Sequence, residues 1–549
     1  MTDPSTGPLF PVLTGAQIER IRPLGRERVV ARGDVLQRIG DQVDHVYVVL
    51  DARLEGVSMQ AAAEQSIAGL GPGQFTGEVS LIAGRPGVAR IFVTEPGRVL
   101  EVHRAQLLAL LQRDPELSEI LMRAFILRRA EIIARGLGDV VIVGSGHSPD
   151  TLRIREFLTR NGHPHTYIDV DRDPGVQDLL DHLNVGPGAV PVVICRGKIV
   201  LRSPSNAALA DCLGFNETMD QATVHDLVIA GAGPAGLAAA VYGASEGLDT
   251  LVLESYAPGG QAGSSSLIEN YLGFPTGISG QELAARANTQ AQKFGAQIAV
   301  ARTAARLSCA EKPYSLSLDG GARVRARSIV IATGAQYRKP ALDRLAEFEN
   351  AGVYYAATPV EAQLCGGSDV VVIGGGNSAG QAAVFLSQRV PKVYMLVRSA
   401  GLAETMSKYL VQRIEQTKSI ELRTHTEIVA LHGGGRLESV RWRNSRTGGE
   451  EEHPIGHVFV MAGAVPNTRW LDGCLILDES GFIKTGPDLT HDELLAAAWP
   501  LSRPPLLLEA SRPGVFAVGD VRAGSIKRVA SAVGEGSIAI ALVHQALRE

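Results

Sequence analysis

Two glycine-rich runs in the C-terminal half have the spacing of a phosphate cradle. The first is Gly231-Ala232-Gly233-Pro234-Ala235-Gly236; the second is Gly374-Gly375-Gly376-Asn377-Ser378-Ala379-Gly380. In such a run the first glycine makes a tight turn and the second lets a pyrophosphate approach the backbone. The third lets helix pack on strand, and the helix N-terminus holds the anion. Two cradles imply two bound dinucleotides, and hence electron transfer between them. The next carrier would ordinarily be a pair of thiols, yet the chain has no Cys-x-x-Cys. Its five cysteines, Cys195, Cys212, Cys309, Cys365 and Cys474, are widely spaced and odd in number. That spacing predicts neither a structural disulfide framework nor a zinc or iron–sulfur site, and no metal is expected.

Each cradle has flanking elements that can position it. Leu227–Ala230 reads as a strand, Leu237–Ala244 as a helix and Thr250–Leu253 as a second strand. Glu254 closes that strand, near the ~20-residue spacing at which an acid holds ribose hydroxyls. In the second cradle Val370–Ile373 feeds the loop, and Ala379 or Gly380 stands in the third glycine's place. The following strand, Lys392–Val397, ends on Arg398. An Arg there suits a 2′-phosphate, so NADPH is expected over NADH, with NADH as the alternative.

The stretch from Gly231 through Gly259-Gly260-Gln261 to Ile268-Glu269-Asn270-Tyr271 resembles the FAD-binding start of the thioredoxin reductase family. The resemblance covers residues 225–549. It implies that Gly231, Gly233, Pro234, Ala235, Gly236 and Glu254 cradle the FAD, with Gly260, Gln261 and Asn270 contacting the flavin. Ala332-Thr333-Gly334 matches the family's crossover motif. Gly519-Asp520 matches its second FAD motif, with Asp520 on the ribityl chain. Arg528-Val529-Ala530 matches the helix start near the isoalloxazine. For NADPH the resemblance implies Gly374, Gly375, Gly376, Asn377, Ser378 and Arg398, with Gly463 on the return from that unit. In the family the nicotinamide unit rotates to bring the two cofactors together. Disulfide-reducing members carry a Cys-x-x-Cys just before the second cradle; here the matching stretch, Gly352–Ala362, has none. Cys365 is the one nearby thiol, and one thiol cannot cycle as an intramolecular dithiol. The Tyr354-Tyr355 version resembles the reductase-like ferredoxin–NADP reductases.

Upstream, residues ~14–115 read as short strands punctuated by Gly and Pro, and 116–136 as a helix ended by Gly136. Phe75–Pro86 resembles the phosphate-binding cassette of cyclic nucleotide-binding domains. By that resemblance Gly77 and Glu78 would serve the ligand, and Arg85 or Arg90 would replace the usual Arg, whose place falls on Gly87; the alternative is a cassette that keeps its fold and has lost or changed its ligand. The order β-α-β-α-β over 139–200 marks a small α/β unit similar to a thioredoxin or glutaredoxin. It places Ser148-Pro149-Asp150-Thr151 at the active-site position and Val190-Pro191 at the cis-proline. Helix was expected at Thr151–Asn161 and Val176–Leu183.

The expected fold is therefore multidomain. Residues 1–137 form a cyclic nucleotide-binding-like β-barrel plus helix, and 138–212 a thioredoxin-like α/β domain. Residues 213–224 are a polar linker. Residues 225–340 with 465–549 form a Rossmann-like FAD domain, and 341–464 form an NADPH domain. Net charge is −5, with 45% hydrophobic and 20% charged residues, which points away from nucleic acid or an anionic membrane as partner. No signal peptide and no run of ~18 apolar residues is read, so a cytoplasmic homodimer is expected. The function expected is hydride transfer from NADPH to FAD and on to a small protein, a quinone, a disulfide or oxygen. Two alternatives stay open: a thioredoxin-disulfide reductase using external thiols, and a redox- or nucleotide-sensing regulatory flavoprotein.

Overall fold

The computed structural model describes residues 7–549 apart from 61–62, 147, 173–175, 177–190, 197–198, 217–218, 266, 310, 403–405 and 472.

The N-terminal strands form two antiparallel sheets. One has Gly25–Val30, Gly97–His103 and His45–Val49; the other has Val35–Gln37, Arg90–Glu95, Arg53–Gln60 and Ala63–Leu70. Two helices close the barrel. Arg104–Arg113 is a helix in a span expected to be strands and turns. The expected long helix runs from Pro115 to Ala134. Asp114 caps it by accepting from the Leu117 N–H at 3.0 Å, and Pro115 takes a position that needs no donor. Leu117, Leu121 and Phe125 bury one face, with Phe125 edge-on to Phe75.

In the small unit, Val140–Gly144 runs parallel to Thr166–Asp169 and antiparallel to Val192–Cys195, with Ile199–Arg202 at the edge. The expected helix runs Pro149–Arg160 with Ser148 as its cap. That strand at 199–202 and a helix at Asn206–Cys212 were not anticipated. The helix expected at Val176–Leu183, apart from Val176, and the Val190–Pro191 bond lie outside the described residues. Residues 213–224 are not a plain polar tether. Leu213 and Phe215 are buried, and Asn216 exchanges two hydrogen bonds with the Val300 backbone. The apolar pair continues the buried side of helix Asn206–Cys212, so this segment is packed against its neighbours.

The first cradle lies on a sheet ordered Gln297–Val300, Thr250–Glu254, Val224–Ala230, Arg323–Ile331, Tyr314–Leu318, Ala304–Ser308. Val515–Ala517 pairs with Arg323–Ile331. The second lies on a parallel sheet ordered Val353–Tyr354, Val458–Val460, Val370–Ile373, Val393–Leu396, Ile420–Arg423. The two crossings between these units, Ala335–Tyr337 and Ala464–Pro466, pair as an antiparallel ribbon. Thr333 and Asn467 lock its base reciprocally: Thr333 Oγ1 donates to Asn467 O, and Asn467 Nδ2 to Thr333 O.

Two expectations need correction. Cys309 and Cys474 form a disulfide. Their separation of 165 residues hid the pairing, which arises because strand Ala304–Ser308 packs beside the short helix Arg469–Leu471. Helix Val529–Ala546 is, by length and composition, apolar enough to cross a membrane. In this fold it packs along helix Pro234–Ser245, where a Cβ on Gly536 would meet Ala235 O at 2.2 Å.

Candidate functional site

The first cradle is shaped by contacts that no side chain could share. A Cβ on Gly231 would lie 2.4 Å from Ala332 O, and one on Gly236 would lie 1.9 Å from Gly231 O. Gly231 also has φ +104°, which favours glycine. Gly233 caps helix Pro234–Ser245 with no side chain, leaving the first N–H groups toward the loop; Ala235 is the second residue of that helix. Gly260 faces Gly233 across this space, since a Cβ on Gly260 would stand 3.0 Å from Gly233 Cα. The geometry therefore brings Gly231, Gly233, Gly236, Gly260 and Ala332 together as a cradle open to an anion.

Glu254 is buried at the strand end, and burial raises its carboxyl above the ordinary range. It accepts N–H groups from Ala232 at 2.7 Å, Tyr256 at 2.8 Å and Ala257 at 3.2 Å. These bonds fix the loop beside the cradle. Gln261 Nε2 donates to Ala335 O at 2.5 Å, tying the flavin-side turn to the crossing ribbon. Asn270 is exposed and lines an open pocket of about 520 Å³ made by Glu269–Pro275, and no hydrogen bond joins it to the Gly260 turn among the described residues.

Gly519 has φ +72° and donates to Glu535 Oε2 at 2.6 Å. The Asp520 carboxylate accepts no hydrogen bond among the described residues. Burial raises its pKa against the pull of Lys527. A desolvated carboxylate with free acceptors suits a polyhydroxyl chain. Arg528 is the backbone cap of helix Val529–Ala546, so Val529 and Ala530 start that helix with unspent N–H groups. Gly334 has φ +64° at the turn into the ribbon.

In the second cradle a Cβ on Gly374 would meet Met461 O at 2.5 Å, whereas one on Gly376 would meet nothing within 4 Å. The open side of Gly376, ahead of helix Asn377–Leu386, is where an anion fits. Ala379, not Gly380, takes the third place: its Cβ lies where a Gly374 Cβ would be 3.2 Å away, while Gly380 faces Met406. Asn377 Oδ1 accepts the Ser407 N–H at 2.8 Å, and Ser378 is exposed. Gly375 lies between these glycines in the same loop. Arg398 is exposed just past its strand, with no hydrogen bond among the described residues, so its charge is available. Gly463 has φ +71° where the ribbon begins.

Tyr337 was missed by sequence reasoning. It lies on the ribbon between the two cradles, and burial raises its hydroxyl, with Ser378 of the second cradle and the charge of Asp520 of the first acting on it. No periodicity marks such a residue, because its partners meet only across the crossing. Glu535 was missed for the same reason; besides Gly519 it holds Arg522 at 2.6 Å.

The cassette residues are engaged inside the molecule. Glu78 pairs with Arg129 at 3.5 Å, and Gly77 O accepts from Arg128 at 2.8 Å. The Arg85 backbone N–H donates to Ser80 O at 2.8 Å, but its guanidinium makes no hydrogen bond among the described residues. Its guanidinium lies 4.6 Å from the Phe215 ring. Burial, then the charge of Arg129, pull its pKa down to about 10. Arg90 is spent on Glu64. A Cβ on Gly87 would lie 2.4 Å from Gln37 Nε2, so the Gln37 side chain fills the space at the usual place. Cys365 is fully buried with its thiol pushed up to about 12, and it donates to Glu361 O at 3.2 Å. Cys195 is core, as expected, and burial raises its thiol pKa.

Two glycine cradles on parallel sheets, joined by a paired crossing, define an oxidoreductase that holds a flavin and a pyridine nucleotide. The family model described as pyridine nucleotide-disulphide oxidoreductase matches residues 225–536, and that of the cyclic nucleotide-binding domain matches 27–114. The chain belongs to the pyridine nucleotide-disulphide oxidoreductase family. It is 33% identical over 323 residues to a thioredoxin reductase of Mycoplasmopsis pulmonis, covering 58% of this chain and 97% of that protein. It is 30% identical over 332 residues to that of Bacillus subtilis, covering 60% and 97%. The crystal structure of Lactococcus lactis thioredoxin reductase matches 59% of this chain and 99% of its own, with a TM-score of 0.52 and 28% identity. That of T. acidophilum covers 58% and 98%, with a TM-score of 0.52 and 29% identity. The protein is thus a thioredoxin reductase-like flavoprotein using FAD and NADPH, with an N-terminal cyclic nucleotide-binding domain.

Proposed function

We propose that this chain carries electrons from NADPH through FAD directly to an external acceptor, with no internal dithiol between them. The observation that carries this reading is the stretch Gly352–Ala362, which holds no thiol. Tyr354 is buried there against Phe459 and His457, and Glu361 is buried with Thr358 donating to it. Cys365 cannot stand in, because a buried thiol with a raised pKa is a poor nucleophile. At Ser148–Thr151 the small unit presents a helix cap and no cysteine, which supports a docking role for it and not a relay.

Flavin, when bound, accepts hydride and passes electrons on. The chain's own residues bind and orient: the two cradles hold the dinucleotides, and the ribbon at Ala335–Tyr337 and Ala464–Pro466 connects them. Anaerobic NADPH should bleach the flavin within minutes, and a small protein, quinone, disulfide or oxygen should restore it. With thioredoxin and a thiol reporter, any turnover should survive Cys365→Ser. Loss of that turnover in the variant overturns the direct path.

A further inference from the structure

We propose that the small α/β unit is a fixed stop for the NADPH unit. The NADPH unit rests on it while Glu361 holds a proton, and is released when Glu361 and Glu156 are both ionised across the seam. The stop does not depend on which acceptor the flavin serves. It rests on the electron path only where turnover is the readout.

The small unit and the FAD unit form one body. Ile142, Ile154 and Leu209 of the first share a continuous apolar core with Leu237 and Ile540 of the second. Phe157 stands edge-on to Tyr256 with 5.7 Å between ring centroids, and Gln281 Nε2 donates to Thr159 O at 2.7 Å. The NADPH unit is attached differently. Among the described residues its two cores are drawn from 337–461 alone. Its chain connection to the FAD unit is the two-stranded ribbon, with Gly334 and Gly463 in the left-handed region at the ends. Separate cores on a two-stranded link make a hinge.

Where the NADPH unit meets the small unit, the contact is built unlike that core. Helix Pro149–Arg160 brings Arg153 and Glu156 to a cavity of about 170 Å³. The NADPH unit brings Tyr354 and Glu361 to the same cavity, and Tyr256 of the FAD unit lies beside them. The cations there are engaged elsewhere. Arg153 bonds Asp150 at 3.1 Å, Asn206 at 2.6 Å and Pro204 O at 2.8 Å. Arg160 reaches Glu156 only at 3.7 Å while its Nη2 serves Gly260 O. Burial raises the Tyr256 and Tyr354 phenols and pushes the Cys365 thiol up to about 12. Burial also pulls His457, 3.4 Å from the Tyr354 hydroxyl, down to about 4. These four groups are therefore uncharged near neutral pH, which leaves the two carboxyls to titrate.

Glu361 accepts the Thr358 N–H at 2.8 Å and the Thr358 hydroxyl, both from its own segment. Two carboxylates sharing a poorly solvated site do not both ionise without cost. Burial, then the charge of Glu156, raise Glu361 above 4.5 in the resting state. Resting therefore takes up a proton, and it weakens as pH rises through the raised value. Across the FAD side of the same hinge Arg413 pairs with Glu269 at 3.0 Å. The NADPH unit is thus drawn in at one contact and pushed off at the other as pH rises.

The test uses the full FAD-loaded chain with the isosteric variants Glu361→Gln and Glu156→Gln, each of which removes the repulsion. Amide hydrogen exchange at 350–362 is compared between native chain and variant at one pH, so the intrinsic pH dependence of exchange cancels. At pH 8 the native chain should exchange about fivefold or more faster than either variant, and the difference should shrink as pH falls toward 5. NADPH turnover with an artificial acceptor should be about fivefold lower in both variants at pH 8, because a unit held on its stop does not swing. The double variant should match either single one, since each removes the same interaction. Equal exchange at pH 8, a native pH dependence surviving in Glu156→Gln, additive effects or unchanged turnover overturns the stop. Bleaching of the native flavin by anaerobic NADPH is read separately. Its failure removes the electron path, while exchange still judges the stop.

Discussion

Arg160, the last residue of a helix in the small α/β unit, donates from Nη2 to the carbonyl of Gly260 at 2.6 Å. Its guanidinium also lies 5.2 Å from the Tyr256 ring. The bond ties the small α/β unit to the turn that faces the first cradle. A charged donor to a carbonyl contributes ~1.5–3 kcal/mol. Arg160→Ala should therefore raise the FAD dissociation constant about tenfold or more, read as flavin absorbance lost on gel filtration. Full flavin retention would show that the contact does not support the turn.

Gly236 admits no side chain, because its Cβ would stand 1.9 Å from Gly231 O. Gly236→Ala should cost ~1–3 kcal/mol through forced backbone shifts. The purified variant should carry less than half the native flavin per chain and melt several degrees lower.

Arg398 is exposed, makes no hydrogen bond among the described residues and lies just past the strand after the second cradle. Arg398→Glu should raise the KM for NADPH about tenfold or more, as expected for a lost charge-assisted bond of ~1.5–3 kcal/mol. The KM for NADH should change little or fall. Steady-state kinetics with both nucleotides and one artificial acceptor checks this. An equal rise for both would place Arg398 outside the 2′-phosphate site.

Glu361 is buried, and desolvation first, then the charge of Glu156, raise its pKa above the usual 4.5. Arg153, Tyr256 and Tyr354 line the same cavity of about 170 Å³. A raised carboxyl favours the folded state while protonated. That contribution is complete below pH 4.5 and is lost as pH rises through the folded-state value. Glu361→Gln should therefore raise Tm at pH 7–8, with the gain shrinking as pH falls toward 4.5. Thermal unfolding across that range reads the sign, and a lower Tm at pH 8 would mean that the ionised carboxylate is stabilised by Thr358 more than burial penalises it.

What could be read from the chain is what depends on neighbours in sequence. Gly231, Gly233 and Gly236 declare a cradle because turn, approach and packing are all set within six residues. The spacing of Leu117, Leu121 and Phe125 declares a helix in the same way. The tertiary fold decided whatever needed two distant segments to meet. It closed Cys309 on Cys474, set Tyr337 on the ribbon between the two cradles, and gave the third cradle place to Ala379. It also turned a segment read as polar linker into the cover of Arg85, by burying Leu213 and Phe215. Backbone conformation and periodicity are local and leave a pattern along the chain. Burial, ion pairing and steric exclusion act across space, and a side chain acquires them only when the sheets and helices around it are assembled.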